Sequence, residues 1–441
     1  MAQSAVAAPT PEELVRRPDY LRLLALAGVL GVPVSLAAFV FLAAVHQLEH
    51  WAWDTLPHAL TGGATPWWWP IPMLLIAGLA VGAIVRTLPG HGGHVPAEGM
   101  GAGVCPPADL PGVLLAAFAS LPLGAVLGPE APLMALGSGL AAWVAGGLRM
   151  GERRTAVVGV SGAAAAIATV FGSPVVAAIM LMEMVQLSGL ALALVILPCL
   201  MAAGIGAVVF TGLGAWTGLP IGHLTLPLPA GTIRPDPADL LWSIPIALVA
   251  ALGIRWVRGL ARTVAPAVAA KPLTRTPLAA LAVAACACAY ALLTGRDPAE
   301  VASSGQQTLA TLASAPETWP PIALALLLLT KGLGYALSLA SLRGGPVFPA
   351  VCLGGVLGAL AAPLPGLGLI GGLAAGMAAA TVAALPAPVS ATVLVLLLLG
   401  GYAVGMAPVV LIAVVVAFVA EHIFTGGLNR DPVPDDDSPQ R

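Results

Sequence analysis

A single carboxylate, Glu130, lies between two prolines at the start of an apolar run, in the sequence Gly128-Pro129-Glu130-Ala131-Pro132. Pro132 suits the first position of a helix, where its missing N–H breaks no hydrogen bond. The N–H groups that follow have no partner within the helix, and with the helix dipole they favour a negative charge. Glu130 can occupy that anion position or leave it to an ion from solution, so it could act as a gate. Because intramembrane carboxylates are costly and usually functional, this interpretation is favoured over a loop glutamate at a membrane surface.

The composition is that of a protein with many membrane-spanning helices. Of 441 residues, 59% are hydrophobic and 9% are charged, and the mean hydropathy is +0.97. The 52 glycines and 41 prolines predict short, broken or re-entrant helices, since neighbouring groups can satisfy the freed backbone inside a membrane. A net charge of −2 gives no basic surface for nucleic acid. We therefore predict an all-α polytopic protein in the lipid bilayer that binds no nucleic acid.

The cysteines and the acidic residues give no indication of a metal, a cofactor or an enzyme. The cysteines lie mostly in apolar surroundings and show no metal-binding spacing, so we interpret them as small apolar side chains. They are Cys105, Cys199, Cys286, Cys288 and Cys352. The sequence also contains no metal-spaced cluster of His, Asp and Glu and no nucleophile motif. The expectation is a protein without catalytic residues, metal or cofactor.

The apolar segments predict one transmembrane domain between two polar ends. Basic residues before the first apolar run favour a cytoplasmic N-terminus. A polar sequence with proline and glutamate precedes them and the apolar run begins only at Leu23, which is not the pattern of a signal peptide. The predicted parts are a cytoplasmic segment at 1–22, a transmembrane domain at 23–425 with halves at about 23–215 and about 239–425, and a disordered acidic tail at 426–441.

The two halves carry similar patterns, which suggests an internal repeat. The run from Pro132 to Gly137 has the same spacing of proline, leucine and glycine as the run from Pro349 to Gly354. Downstream, residues 166–175 and 380–389 each contain a proline that interrupts an apolar segment. Sequences rich in Ala, Leu and Gly can mimic repeats by chance, but the matched prolines and glycines reduce that risk. In transporters, such repeats place the substrate site on broken-helix ends at their interface.

Four blocks resemble motifs of the CLC family of chloride channels and proton-coupled chloride transporters, and their order, spacing and apolar setting make chance agreement improbable. The blocks are Gly92-Gly93-His94-Val95-Pro96 at the place of GSGIP, Gly128-Pro129-Glu130-Ala131-Pro132 at GREGP, Ser161 through Pro174 to Met182-Glu183-Met184 at a helix pair ending in Glu-Met, and Gly345-Pro346-Val347-Phe348-Pro349 at GxFxP. The resemblance implies a CLC-type fold with two inverted-topology halves, one pore per subunit, a homodimer, and a multi-pass location in a bacterial plasma membrane.

The resemblance also implies roles for individual residues. Glu130 would be the gating glutamate, which blocks the anion path when ionised and moves away when protonated. Glu183 would be the internal glutamate that passes protons from the cytoplasm; the alternative is a surface charge at a helix end. The turns at 92–96 and 345–349 would offer backbone N–H groups to the anion. Because both glutamates are present, we predict transport of small anions, chloride first, by proton-coupled antiport gated by Glu130.

Several positions depart from the family pattern and keep alternatives open. Gly93 stands where the family has a serine, Pro346 has no N–H to offer, and Val347 replaces a phenylalanine that is found one place along, at Phe348. No tyrosine follows Tyr402, so the family's final helix is expected to be short or missing. The alternatives are a passive channel, selectivity for fluoride or nitrate, or a scaffold or sensor that does not transport.

Three side chains near these motifs have two interpretations each. Arg343, just before the second glycine turn, either raises the local anion concentration or anchors the interface with its charge. Lys331 is expected to open a helix that runs to Leu342, either with a functional role or bonded to backbone carbonyls. His94 is either a polar loop residue or a pH sensor, and the first is favoured.

Overall fold

The computed structural model describes residue 13 and residues 16–101, 103–185, 189–217, 224–229 and 235–426. This part of the chain is built from α-helices joined by short turns. The helices are α1 Pro18–His50, α2 Leu56–Thr61, α3 Pro70–Thr87, α4 Leu110–Ser120, α5 Glu130–Gly147, α6 Glu152–Phe171, α7 Pro174–Val185, α8 Gly189–Thr217, α9 Pro237–Ala270, α10 Pro272–Thr294, α11 Gln306–Ser314, α12 Pro321–Ser341, α13 Val347–Ala361, α14 Gly368–Ala384, α15 Pro388–Leu399 and α16 Ala403–Gly426.

The helix lengths confirm a polytopic membrane protein. Within the described residues, eight helical segments are long and apolar enough to cross a bilayer. Four other apolar helices, α4, α7, α13 and α14, have 10–17 residues, fewer than the roughly 20 that a span requires. These short helices are the broken elements that the glycine and proline content predicts.

Glycines allow the same close helix crossing in each half. A Cβ atom on Gly137 of α5 would collide with the carbonyl oxygen of Gly162 in α6. A Cβ atom on Gly354 of α13 would collide with the carbonyl oxygen of Gly376 in α14. Small residues allow helix backbones to approach closely in membranes, where packing rather than hydrophobicity drives association. The repeated proline-to-glycine spacing therefore corresponds to a repeated pair of tightly packed helices.

The two halves meet at Gly128 and Gly345, which form an isolated antiparallel bridge. The N–H of Gly128 donates to the carbonyl of Gly345 at 2.8 Å, and the N–H of Gly345 donates back at 2.5 Å. Each glycine comes just before a helix, α5 in the first half and α13 in the second. The bridge therefore brings the N-termini of these two helices together inside the protein.

The expected first helical position of Pro132 is wrong. Helix α5 begins at Glu130, its N-cap is Pro129, and Pro132 is its third residue. A proline at the third position also breaks no hydrogen bond, because the first four N–H groups of a helix have no partner within it. The correction places Glu130 itself in the first turn of the helix.

One further helix start differs from the sequence-based expectation. Lys331 does not open a helix: it is the eleventh residue of α12, because the apolar run from Pro321 to Thr330 belongs to the same helix. Helix α1 begins at Pro18, within the segment expected to be cytoplasmic. Helix α16 includes Gly426, the first residue of the expected tail. The rest of that tail, and any helix within it, lies outside the described residues.

Candidate functional site

Glu130 is fully buried where the two halves meet. Its Oε1 atom accepts a hydrogen bond of 2.8 Å from the N–H of Phe348 in the first turn of α13. The N–H groups and the dipole of a helix N-terminus stabilise a negative charge. The carboxylate of the first half therefore occupies an anion position at the start of a helix of the second half.

The backbone around this carboxylate leaves room for the group but binds only one of its oxygens. A Cβ atom on Gly128 or Gly345 would collide with the Glu130 carboxylate in this position, so the two glycines leave the space that the group occupies. The Oε2 atom is buried and has no hydrogen-bond partner among the described residues. A buried charged oxygen without a donor is unfavourable. Glu130 is therefore less firmly held than a carboxylate with donors on both oxygens.

The residues on either side of Glu130 line two different cavities. The first, which we call the Phe348 cavity, has a volume of about 320 Å³, and its lining includes His46, Pro129 and Phe348. The second, the Arg343 cavity, has a volume of about 380 Å³ and lies against Ala131, which follows Glu130, and against Arg343. A side chain in this position can separate the two cavities.

The structure brings several of the sequence-predicted turn residues together around the Arg343 cavity. Its lining includes Gly92, Gly93, His94, Ala131 and Pro132. In the second turn, Gly345 pairs with Gly128, and Phe348 donates to Glu130. Val347 and Pro349 are buried in the first turn of α13. Val95 and Pro96 lead into a short turn at Pro96–Glu98 and are outside the group that lines the cavity.

Two serines that the sequence reasoning missed join the halves reciprocally. The hydroxyl oxygen of Ser338 in α12 accepts from the N–H of Val126, two residues before Gly128, at 3.2 Å. The hydroxyl oxygen of Ser120 in α4 accepts from the N–H of Arg343, two residues before Gly345, at 3.1 Å. The signal in the sequence is a serine at nearly the same distance before each motif glycine. These bonds fix the two turns relative to each other.

A buried tyrosine that the sequence did not indicate supports the second turn. The hydroxyl of Tyr335 in α12 donates to the carbonyl oxygen of Pro346 at 2.6 Å. Tyr335 is fully buried, and a buried carbonyl without a donor would be costly. Tyr335 thus fixes the residue that precedes α13, next to the donor that holds Glu130.

Glu183 lies at a second contact between the halves. Its Oε1 accepts from the N–H of Val389 at 2.8 Å, and its Oε2 accepts from the N–H of Ser390 at 2.8 Å and from the Ser390 hydroxyl. These N–H groups belong to the first turn of α15, so Glu183 of α7 caps a helix of the other half. No hydrogen bond between described residues joins Glu183 directly to Glu130.

Lys331 is bonded to backbone carbonyls, as one of its two interpretations expected. Its Nζ lies 2.9–3.2 Å from the carbonyl oxygens of residues 300–303, and the side chain is fully buried. The ammonium group therefore fixes the loop before α11, and the structure supports the structural interpretation.

Comparison with known families and proteins identifies the setting of this site. A profile of the family described as voltage gated chloride channel matches residues 77–422. A protein named "Putative ion-transport protein YfeO" from Salmonella newport (strain SL254) is 35% identical over 153 residues, which are 34% of this chain and 37% of that protein. The protein of the same name from Salmonella typhimurium matches to the same extent. The match thus spans little more than a third of these relatives.

Two solved structures share the fold over nearly the whole chain. One is a slow cyanobacterial Cl⁻/H⁺ antiporter, with a TM-score of 0.70 and 19% identity over 92% of this chain and 95% of that one. The other is a CLC-type fluoride/proton antiporter, with a TM-score of 0.69 and 19% identity over 94% of this chain and 97% of that one. At this identity the likeness establishes the architecture, and it confirms the expected CLC-type fold.

Proposed function

The chain belongs to the voltage gated chloride channel family of anion transport proteins, and we propose that it exchanges small anions, chloride first, for protons across the membrane. Glu130 is the gate of this exchange. The observation that carries the proposal is the position of its carboxylate: it is fully buried and bonded to the N–H of Phe348, and the residues before and after Glu130 line different cavities.

The gate works because the Glu130 carboxylate and the transported anion compete for the same helix N-terminus, that of α13. When Glu130 is charged, its Oε1 satisfies the N–H of Phe348 and excludes an anion from that position. Protonation removes the charge that α13 attracts, so the side chain can leave and an anion can take its place. The proton carried by Glu130 and the anion then use the same position in turn. Alternation of this kind couples the two movements.

Glu183 is the proposed internal proton residue. Its carboxylate is half-buried at the end of α7 and receives three hydrogen bonds from the start of α15. A group at this contact is held rigidly, yet it remains partly accessible to solvent. Its proton role and its capping role can be separated by substitution, as described in the Discussion.

The test of the gate is a flux measurement on purified protein in liposomes. With Glu130→Ala, we expect chloride flux to continue but to lose its dependence on pH, because no carboxylate competes for the N-terminus of α13. Glu317→Ala, at an exposed glutamate in a loop, is the control and should behave like the wild type. Unchanged flux and unchanged pH dependence in Glu130→Ala would overturn the proposed gate.

The choice of anion is tested by competition. The fold resembles a Cl⁻/H⁺ and a fluoride/proton antiporter almost equally, with TM-scores of 0.70 and 0.69. Chloride flux measured with added fluoride or nitrate therefore decides among the anions, and we expect chloride to be carried. If no anion in the panel moved while the protein stayed folded, the scaffold interpretation would replace transport.

A further inference from the structure

Arg343 is a buried cation with spare hydrogen-bonding capacity. It is 7% exposed. Its Nη1 donates to its neighbour's carbonyl, Leu342 O, at 3.2 Å, and its Nη2 donates to the carbonyl of His91 at 3.3 Å. A guanidinium has five N–H donors and stays charged in proteins. Its buried Nε has no partner, and no ion pair among the described residues includes Arg343.

The surroundings of Arg343 form a recess at the base of α5. The Arg343 cavity has walls from the glycine turn at 90–94 and from residues in the first turns of α5, and Gly344 completes its lining beside Arg343. A Cβ atom on Gly92 would lie 3.5 Å from the Nε atom of Arg343. The absence of a side chain at Gly92 therefore leaves space beside this unpaired donor. A helix N-terminus and a buried cation therefore border the same cavity.

The acidic groups near this cavity do not cancel its charge. Asp109 belongs to the lining and is half-buried. Glu98 interacts electrostatically with Arg343 but is exposed, so water screens its charge. His94 also lines the cavity. Asp109 is thus the one acidic group of the lining that competes with an anion for Arg343.

Basic residues lie at the end of α3, which leads into the cavity wall, and at the start of α6. Arg154 at the start of α6 forms an ion pair of 2.9 Å with Asp19 at the start of α1, so these two helix starts lie on one side. Arg149 and Arg153 belong to the same loop as Arg154, and Arg86 lies four residues before Gly90 of the cavity wall. Loops rich in Arg and Lys are cytoplasmic in membrane proteins.

We infer that the Arg343 cavity binds a small inorganic anion of halide size on the cytoplasmic side of Glu130, with the Arg343 guanidinium as its principal donor. The inference rests on the proposed function, because it supplies the anion that enters when Glu130 leaves α13. Two guanidinium donors are already engaged by carbonyls. The interaction with the anion is therefore weaker than a full salt bridge, as transport requires.

Chloride binding to the purified protein, measured by calorimetry, tests this site without requiring transport. In Arg343→Gln we expect the Kd for chloride to rise about tenfold, because a charge-assisted donor is lost. Arg343→Lys keeps the charge and should stay within about threefold of the wild type. Arg262→Gln is the matched control: Arg262 also bonds to a loop carbonyl, that of Ala97, but is outside the cavity lining, so its Kd should be unchanged.

Anomalous scattering from crystals grown with bromide locates the anion directly. We expect a bromide peak within hydrogen-bonding distance of the Arg343 guanidinium in the wild type and none there in Arg343→Gln. A peak only at the N-terminus of α13, or an unchanged chloride Kd in a folded Arg343→Gln protein, would overturn the inference. Bromide at Arg343 in a protein that carries no anion in liposomes would refute the proposed function and leave this site standing.

Discussion

The two glutamates differ in how their carboxylates are held. Glu130 is fully buried and has one oxygen without a partner among the described residues. Both oxygens of Glu183 accept backbone N–H groups, and one also accepts a hydroxyl. A carboxylate with donors on both oxygens is stabilised in its charged form and in its position. We therefore assign movement to Glu130 and a fixed position to Glu183.

Replacement of Glu130 by glutamine tests whether its proton is the one exchanged. The amide keeps the size of the side chain but has no negative charge and cannot carry a proton. We expect Glu130→Gln to conduct chloride without moving protons, at a rate independent of pH, whereas wild-type flux should rise as the pH falls and Glu130 becomes protonated. Chloride and proton movement are read together in liposomes. Proton exchange that persisted in Glu130→Gln would exclude Glu130 as the carrier.

Tyr335→Phe tests whether the turn before α13 must be fixed. The loss of the hydroxyl leaves the Pro346 carbonyl without its 2.6 Å donor, which should lower the free energy of unfolding by about 1–3 kcal/mol. Thermal unfolding measures this loss. We also expect a changed pH dependence of flux, since α13 holds Glu130.

Tyr402→Phe is the matched control for this experiment. Its hydroxyl donates to the Pro229 carbonyl at 2.7 Å and not to the turn before α13. We expect a comparable loss of stability without a change in the pH dependence of flux. If both variants changed flux in the same way, the effect of Tyr335 would be one of general stability.

At the scale of helices, Gly354→Ala tests the crossing of α13 and α14. The added methyl group would collide with the carbonyl of Gly376, and overpacking of this kind costs about 1–3 kcal/mol. We expect a lower Tm and a shifted α13, hence reduced flux. Gly253→Ala in α9 is the control, because nothing lies within 4 Å of its added Cβ. Equal Tm values in the two variants would contradict the close crossing.

The cap on α15 allows the two roles of Glu183 to be separated. Glu183→Ala removes the acceptor of two N–H groups and should cost about 0.5–2 kcal/mol, as the loss of a helix cap does. Glu183→Gln keeps one acceptor oxygen but cannot pass a proton. We expect it to lose less stability than Glu183→Ala, by thermal unfolding, because one of the two acceptors remains, and to show weakened proton coupling. Full coupling in Glu183→Gln would leave Glu183 with the capping role alone.

The sequence indicates the parts of the site that depend on local residue types. The prolines and glycines around Glu130 predict a helix start in an apolar setting, and α5 begins there. Contacts between distant segments leave weaker signals, such as the bond from Tyr335 to Pro346. The position of Lys331 was wrong because the expected helix start followed the charge, whereas the helix begins at the proline pair of Pro320 and Pro321. Helix ends are predictable where a proline or glycine sets them, and tertiary partners are not.

At the scale of the whole molecule, the bridge between Gly128 and Gly345 joins the two halves at the anion position, so that both halves contribute residues to it. Neither half contains the position alone: Glu130 comes from the first and the N–H of Phe348 from the second. The internal repeat of the sequence thus has a functional consequence, since each half supplies one helix N-terminus to the same place.

The resemblance to the family also leads us to expect a homodimer. Light scattering on the protein in detergent, corrected for bound detergent, should give twice the 43.9 kDa mass of one chain. Because Glu130 and its donor belong to the same chain, each subunit should carry a complete path. A monomeric mass in a protein that exchanges anions would contradict the expected assembly and leave the gate unaffected.

The most direct test of the central claim is a liposome experiment with equal chloride on both sides and an imposed pH difference. External chloride and external pH are recorded together. We predict that protons moving down their gradient drive chloride uphill, in a fixed ratio of the two ions, and that Glu130→Gln abolishes this uphill movement of chloride. The contrary result is that the pH difference moves no chloride, whereas a chloride gradient alone drives rapid chloride flux. That result would show passive conduction and contradict the exchange assigned to Glu130.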